Sequence, residues 1–410
     1  MSGRLPGVAE RAAALDAADP LAWCRAEFVE GEPPVRAYLD GNSLGRPLRA
    51  TAARLQELVV GAWGTRLIRS WDEQWMQLPL ELGDHLGRVC LGAAPGQVFV
   101  GDSTTVLLYK LLRAAVADAM ERGRPQLVLD TENFPTNRYV AEGVAAETGA
   151  ELVWLSPDPA RGVELEHLRE HLGERTGVVL VSHVAYKSSW RADLAEITAA
   201  AREHGALVLW DLCHSAGVLP VDLDAADVDL AVGCSYKFLN AGPGGPAFGY
   251  VATRLQQRLS QPVQGWMGHA EPFVMGPGYR PAEGVRRFIS GTPPVLAMAG
   301  LADTVELVDR VGLEAVTTKA LALGAFVVEV VDEHLAGLGV GVASPRDPGR
   351  RGAHVTLTHP DARELCRRLW EVDVVPDFRE PDVVRLGLAP LSTSYAEVAT
   401  ALEEIARLLD

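Results

Sequence analysis

Lysine is scarce in this sequence: Lys110, Lys187, Lys237 and Lys319 are the only four among 38 basic residues. With arginine supplying most of the positive charge, each lysine is of interest as an amine, which arginine cannot replace in Schiff-base chemistry. Cysteine is sparse too. Cys24, Cys90, Cys213, Cys234 and Cys366 are odd in number, widely scattered and never in a C-x-x-C pair. That spacing supports neither a disulfide framework nor a zinc site, and reduced thiols of a cytoplasmic protein are the expectation. No apolar run reaches the roughly 20 residues a membrane span needs, and MSGRLPGVAERAAALDAADP lacks a signal-peptide core. Positive charge is in deficit: the formal net charge is −16, with no Lys/Arg-rich run to offset it. Nucleic acid and anionic membrane surfaces are therefore excluded as partners. Internal repeats and low-complexity tracts are absent.

What is present describes a soluble α/β protein. The 410 residues, 48% apolar and 22% charged, suffice for two or three structural units. An amphipathic helix is expected over 8–30, followed by a Gly/Pro/Asn loop to Pro47. Continuous apolar runs at 97–101, 127–130, 152–156, 177–183, 206–211, 230–235 and 248–252 alternate with helical patterns. Runs of this kind predict a parallel sheet covered on both faces. Beyond residue 290 longer helices precede short strands at 353–359, 374–379 and 383–389. The expected division is 1–50 as an N-terminal helix and loop, 51–290 as a large α/β domain, and 291–410 as a small α+β domain.

Ligands of parallel α/β sheets collect at the carboxyl ends of strands, and several polar residues fall there. Asp211 ends ALVLWD and precedes His214; Ser182 ends a second strand; Ser103, Thr104 and Thr105 open a helix after QVFVG; Tyr236 and Lys237 end LAVGCS and lead into Asn240-Ala-Gly-Pro-Gly-Gly245. A lysine at a strand end can be a desolvated nucleophile or a side chain snorkelling to solvent. Asp211 can pair with a cofactor ring nitrogen or cap a helix. The hydroxyl-rich helix start can bind a phosphate or serve as an ordinary N-cap. Their order along the chain is the one that fold-type-I pyridoxal-phosphate (PLP) enzymes require.

The segments YLDGNSLGRPL (38–48), LIRSWDEQWMQLP (67–79), DSTTVLLYKLL (102–112), NFPTN (133–137), WDLCHSAG (210–217), CSYKFLNAGPGG (234–245), GWMGH (265–269), FISGTPP (288–294) and DFREPDVVRLGLAPL (377–391) resemble those of the kynureninase family along nearly the whole chain. The resemblance implies a fold-type-I PLP enzyme, related to class V aminotransferases, that hydrolyses the Cβ–Cγ bond of L-kynurenine to anthranilate and L-alanine in tryptophan catabolism. It implies that Lys237 is the Schiff-base lysine and that Asp211 pairs with the pyridinium nitrogen. Phe134 resembles the aromatic stacked on the ring. Thr104, Thr105, Asn137, Ser182, His214, Tyr236 and Trp266 resemble further cofactor contacts, with Tyr236 and Trp266 at the phosphate. Thr292 resembles a contact reaching across a homodimer interface. Arg385 resembles the arginine that holds the substrate α-carboxylate, and Ser43 and Trp71 resemble residues lining the aryl pocket. No metal is implied. Tyr236 is the implied proton donor or acceptor late in the reaction.

Three departures from the family pattern stand out. Asn137 occupies the place of an Asp, Ala185 that of an Asn, and Ser392-Thr393 that of a Tyr-Asn pair. The alternatives are a kynureninase-like enzyme for 3-hydroxykynurenine, another fold-type-I enzyme, or a PLP-binding regulatory domain. A cysteine desulfurase needs a reactive cysteine in the C-terminal half, where only Cys366, in a predicted helix, is found.

Overall fold

A seven-stranded sheet organises the larger part of the chain. The computed structural model describes residues 5–410, so the first four residues of the expected N-terminal unit lie outside the described residues. Strands are β1 (Ala37–Tyr38), β2 (Val98–Gly101), β3 (Gln126–Asp130), β4 (Glu151–Leu155), β5 (Thr176–Ser182), β6 (Leu207–Asp211), β7 (Leu230–Cys234), β8 (Ala247–Val251), β9 (Gly341–Val342), β10 (His354–Thr358), β11 (Val374–Val375), β12 (Asp377–Arg379) and β13 (Val383–Gly387). The large sheet has the order β2-β8-β7-β6-β5-β3-β4.

The pairs β3–β4, β3–β5, β5–β6 and β6–β7 are parallel. Strand β8, expected from its apolar run to join a parallel sheet, instead runs antiparallel to both neighbours. The segment between β7 and β8 carries the Lys237 turn and the glycine run but no crossover helix, so the chain must return antiparallel. Successive strand residues point to opposite faces. Val128, Val179, Val208 and Trp210 belong to one apolar cluster, and Leu127, Leu129, Leu180 and Leu209 to the other. Burial on both faces explains why these strands read as continuous apolar runs.

The helices are α1 (Val8–Ala18), α2 (Arg49–Glu57), α3 (Leu78–Leu86), α4 (Thr104–Glu121), α5 (Pro135–Thr148), α6 (Leu165–Arg169), α7 (Leu194–Glu203), α8 (Thr253–Gln256), α9 (Met298–Val311), α10 (Leu313–Val330), α11 (Ala362–Trp370) and α12 (Tyr395–Leu409). The helix expected over 8–30 ends at Ala18. The residue before a proline is driven out of the helical region, and Asp19, which precedes Pro20, is extended (ψ 111°) while its carboxylate accepts from Leu21 N at 2.8 Å. A separate short 3₁₀ segment follows at Ala22–Glu27. Helix α4 begins where Ser103 Oγ accepts from Val106 N at 3.4 Å, and it buries Leu107, Leu108, Leu111, Leu112, Ala115 and Ala119 at helical spacing.

A smaller antiparallel sheet, β12-β13-β10-β9, shares a core with α1, α10, α11 and α12. The core does not divide at residue 290. Met298, Leu301, Val305 and Val308 of α9 pack with the large unit, and the change of core falls inside α10, between Ala320 and Leu323.

Candidate active site

Four adjacent strands end at one cavity. Asp130 ends β3, Ser182 ends β5, Asp211 ends β6 and Cys234 ends β7, and a cavity of about 290 Å³ opens beyond them. It is lined by nine of the anticipated residues: Thr104, Thr105, Phe134, Asn137, Ser182, Asp211, His214, Tyr236 and Lys237. Thr136, Val184, Tyr186 and Cys213 complete the wall. Larger clefts of about 500, 380 and 600 Å³ lie elsewhere, but none of them is lined by a lysine.

Lys237 enters from the turn after β7. Its Nζ lies 3.0 Å from His214 Nε2, 5.8 Å from the centre of the Phe134 ring and 5.9 Å from that of Tyr236. The other three lysines are all ion-paired: Lys110 with Asp102 at 3.0 Å, Lys187 with Glu132 at 3.0 Å, and Lys319 with Asp19 at 2.7 Å. Lys237 faces a neutral partner instead. Burial, reinforced by the Lys237 charge, drives the His214 imidazole well below its ordinary pKa. The lysine turn also packs closely on the N-terminal loop. Gly45 N donates to Tyr236 O at 2.8 Å, and a Cβ on Gly45 would collide with the Lys237 carbonyl oxygen and the Asn240 side chain.

Asp211 is held by two donors. Its Oδ1 accepts from Cys213 N at 2.8 Å and its Oδ2 from Asn137 Nδ2 at 2.8 Å. Asn137 also donates to Asn133 Oδ1 at 2.9 Å, and Ser182 Oγ donates to the same oxygen at 3.1 Å. Asn133, in NFPTN, is thus the hub of the buried polar cluster, although its sequence context marks it only as part of a loop. Tyr236 has its phenol pushed up, chiefly by burial, so the group is a protonated donor at neutral pH.

Two features test the cavity against PLP. Thr104 Oγ1, at the first turn of α4, and His214 Nδ1 are both buried without a hydrogen-bond partner, and such groups are costly unless a ligand or water meets them. The Phe134 ring, perpendicular to Tyr186 at 5.3 Å, lines the cavity with Lys237 Nζ over it at 5.8 Å. A phosphate at the helix start, a planar ring on Phe134, a carboxylate for the ring nitrogen and an amine for the aldehyde all have a place. The residues fit the group.

Arg385, on β13, lies beyond Tyr186. It is 1% exposed, and four of its five guanidinium N–H groups are engaged, leaving one on Nη1. Nε donates to Asp377 Oδ1 at 2.8 Å, Nη2 pairs with Asp377 Oδ2 and reaches Ser43 Oγ at 3.2 Å, and Nη1 donates to Tyr186 O at 2.6 Å. Asp377, which sequence reasoning missed although it opens DFREP, is paired in turn with Arg379 at 2.7 Å. Ser43 and Arg385 are therefore brought together, beside the cavity. Trp71, Trp266 and Thr292 are not brought to it within one chain. Trp71 packs edge-on against Trp266 at 5.9 Å and Trp75 at 5.4 Å, and Thr292 is exposed.

Comparison with known proteins gives a consistent result. Residues 316–405, starting close to the change of core within α10, match the family model described as the kynureninase C-terminal domain. A kynureninase of Burkholderia pseudomallei (strain 1106a) is 40% identical over 406 residues, 98% of this chain and 95% of its own length. One from Deinococcus radiodurans is 41% identical over 403 residues, 97% of this chain and 95% of its own. Among solved structures, the cysteine desulfurase of Thermococcus onnurineus NA1 superposes with TM-score 0.81 at 18% identity, covering 95% of this chain and 98% of that one. A C-DES variant with glycine covalently linked to its PLP cofactor gives 0.77 at 21% identity, covering 91% and 96%. The fold is that of the fold-type-I PLP enzymes.

Proposed function

The chain belongs to the kynureninase family, and from that premise we propose that it is a PLP-dependent hydrolase that cleaves L-kynurenine to anthranilate and L-alanine. The observation that carries the reading is Lys237: of the four lysines it alone lacks a carboxylate partner among the described residues, and it faces Asp211, His214 and Phe134 across one cavity.

When bound there, PLP supplies an electron-withdrawing ring next to the substrate's Cα. Lys237 would hold the cofactor through its amine, and that amine, when free, is placed to take the Cα proton of the substrate. Its neighbour His214, kept neutral by burial, competes with no cation for that site. Asp211 would accept the ring N–H. Thr104, Thr105 and the start of α4 would hold the phosphate, and Phe134 would support the ring face. Tyr236 keeps its proton at neutral pH and can lend it as water adds to the γ-carbonyl and the Cβ–Cγ bond breaks. Arg385 orients the substrate carboxylate. Its engagement with Asp377 and Ser43 means that the carboxylate takes the Ser43 contact or the remaining Nη1 hydrogen, without disturbing the Asp377 pair.

The aryl pocket, on this reading, is completed by a second copy of the chain in a homodimer. Trp63, Leu67, Ile68, Phe273, Val274 and Met275 are exposed, a cleft lined by Leu58, Trp75, Val295 and Met298 lies among the α2 and α9 surfaces, and Thr292 is exposed three residues before Val295. Exposed apolar side chains grouped in this way support an interface there. Five free cysteines suit a reducing cytoplasm, and among the described residues no single helix is long and apolar enough to cross a membrane.

The test is direct. Purified protein should release fluorescent anthranilate from L-kynurenine, and Lys237→Ala should release none. Borohydride should fix PLP on the peptide containing Lys237. Absence of anthranilate from the wild-type protein defeats the function, and fixation at Lys110, Lys187 or Lys319 defeats the lysine assignment.

A further inference from the structure

The buried polar cluster beneath the cavity has a single consistent polarity. Phe134 N, a backbone N–H that can only donate, meets Asn133 Oδ1 at 2.9 Å. Asn133 must therefore turn its amide nitrogen the other way, where Nδ2 reaches Asp130 Oδ2 at 3.0 Å and the Leu180 carbonyl at 3.4 Å. With Asn133 Oδ1 fixed as an acceptor, Asn137 has to present Nδ2 to it at 2.9 Å. The second hydrogen of that nitrogen then points at Asp211 Oδ2, 2.8 Å away. The other Asp211 oxygen faces Cys213 N, again an obligate donor, at 2.8 Å. Each Asp211 oxygen thus accepts one hydrogen bond from a fixed donor and keeps a lone pair free.

We propose that Asn137 is a positioning residue that, through this one-way chain of donors, orients the Asp211 carboxylate and leaves its remaining lone pairs for the cofactor ring nitrogen. The proposal rests on the PLP reading of the site. It assigns the choice of a neutral amide at position 137 to hydrogen-bond polarity: an Asp there has nearly the same shape but no donor unless it is protonated. Ionised, it would face two acceptors, Asn133 Oδ1 and Asp211 Oδ2, at under 3 Å.

The titratable groups around it sharpen this consequence. Asp130 lies one hydrogen bond away through Asn133. Asp211, Cys213, His214, Tyr236 and Lys237 share the cavity wall with it. Arg138, next on α5, donates instead to the Thr131 carbonyl at 2.8 Å. The nearest charge is therefore the Asp211 carboxylate, which opposes ionisation of an acid at position 137. An Asp at 137 would consequently have a folded-state pKa above its unfolded value. Stability linked to such a group is present below the unfolded pKa, near 4, and is lost as pH rises through the folded pKa.

The experiment compares wild-type, Asn137→Asp and Asn137→Ala full-length proteins, with PLP bound and without added PLP, between pH 5 and 8. The Tm deficit of Asn137→Asp relative to wild type should widen by at least about 3 °C across that range, whereas that of Asn137→Ala should stay constant. The visible absorbance of cofactor bound to Asn137→Asp should gain a titration in the same window that the wild type lacks. A pH-independent deficit in Asn137→Asp, or the same pH dependence in Asn137→Ala, would overturn the proposal. Failure of the wild-type protein to bind PLP would instead defeat the functional reading, and the Tm comparison without PLP would still decide whether the donor chain operates.

Discussion

Replacing Arg385 by Lys separates the guanidinium's geometry from its charge. The fork serves Asp377 through Nε and Nη2, Tyr186 O through Nη1 and Ser43 Oγ through Nη2. Lysine keeps one positive charge beside Asp377, so the variant avoids the roughly 3–5 kcal/mol cost of leaving a buried carboxylate uncompensated; Arg379, 2.7 Å away, helps on the other side. Three N–H donors cannot cover the same partners and a substrate carboxylate as well. At least one hydrogen bond to a charged group is lost, worth about 1.5–3 kcal/mol, which corresponds to about 10- to 150-fold in kcat/KM. Steady-state anthranilate release from L-kynurenine measures the loss, with Tm recorded in parallel to exclude unfolding. The loss should appear mainly in KM, because a carboxylate remote from the reacting bond is held alike in ground and transition states. Arg385→Ala should be slower still and markedly less stable. A kcat/KM for Arg385→Lys within about threefold of wild type, in a protein of unchanged Tm, refutes the role given to this side chain.

Three further outcomes are expected. L-Kynurenine should be preferred over 3-hydroxykynurenine by about 10- to 100-fold, the cost of burying a hydroxyl without a partner; substitution of Trp71 should change that ratio while Arg385→Ala lowers both rates alike, and a tenfold preference for the hydroxylated substrate would show the pocket reading to be mistaken. Sedimentation should find a dimer, and a fully active monomer would remove the shared site. Asp40, pushed up to about 6 by burial and by the Asp377 charge, holds its proton more tightly when folded than when unfolded, so stability tied to it is lost as pH rises from near 4 through 6. Asp40→Asn should therefore gain Tm relative to wild type over that interval, by an amount equivalent to at most about 3 kcal/mol; a difference that does not change with pH would contradict the assignment.

Much of the architecture was legible because it is written in local patterns. The runs VFVG, QLVLD and LVLWD announce strands buried on both faces, and the hydroxyl group of Ser103 announces the start of α4. Lys237 was conspicuous by scarcity, and Asp211 by its place at a strand end. Helix α3 and the short strand β9 carry no comparable signal. The reversal of β8 was not legible either, since an apolar run has the same composition in either direction and only the absence of a crossover helix decides it.

The chain alone thus determined the main strands of the large sheet and most of the helices, where the strand ends at the cavity lie, and which lysine and aspartate deserve attention, because burial and turn chemistry act over a few residues. Tertiary structure decided the rest. Arg385 and Ser43 are 342 residues apart, Asp211 and Asn137 are 74 apart, and no periodicity relates such partners. Only folding pairs three lysines with carboxylates and leaves the fourth beside a neutral imidazole. Only folding keeps Trp71, Trp266 and Thr292 away from the cavity of their own chain. The direction of each buried hydrogen bond is set by its neighbours in space, since a buried donor or acceptor must find its partner wherever the fold has placed one.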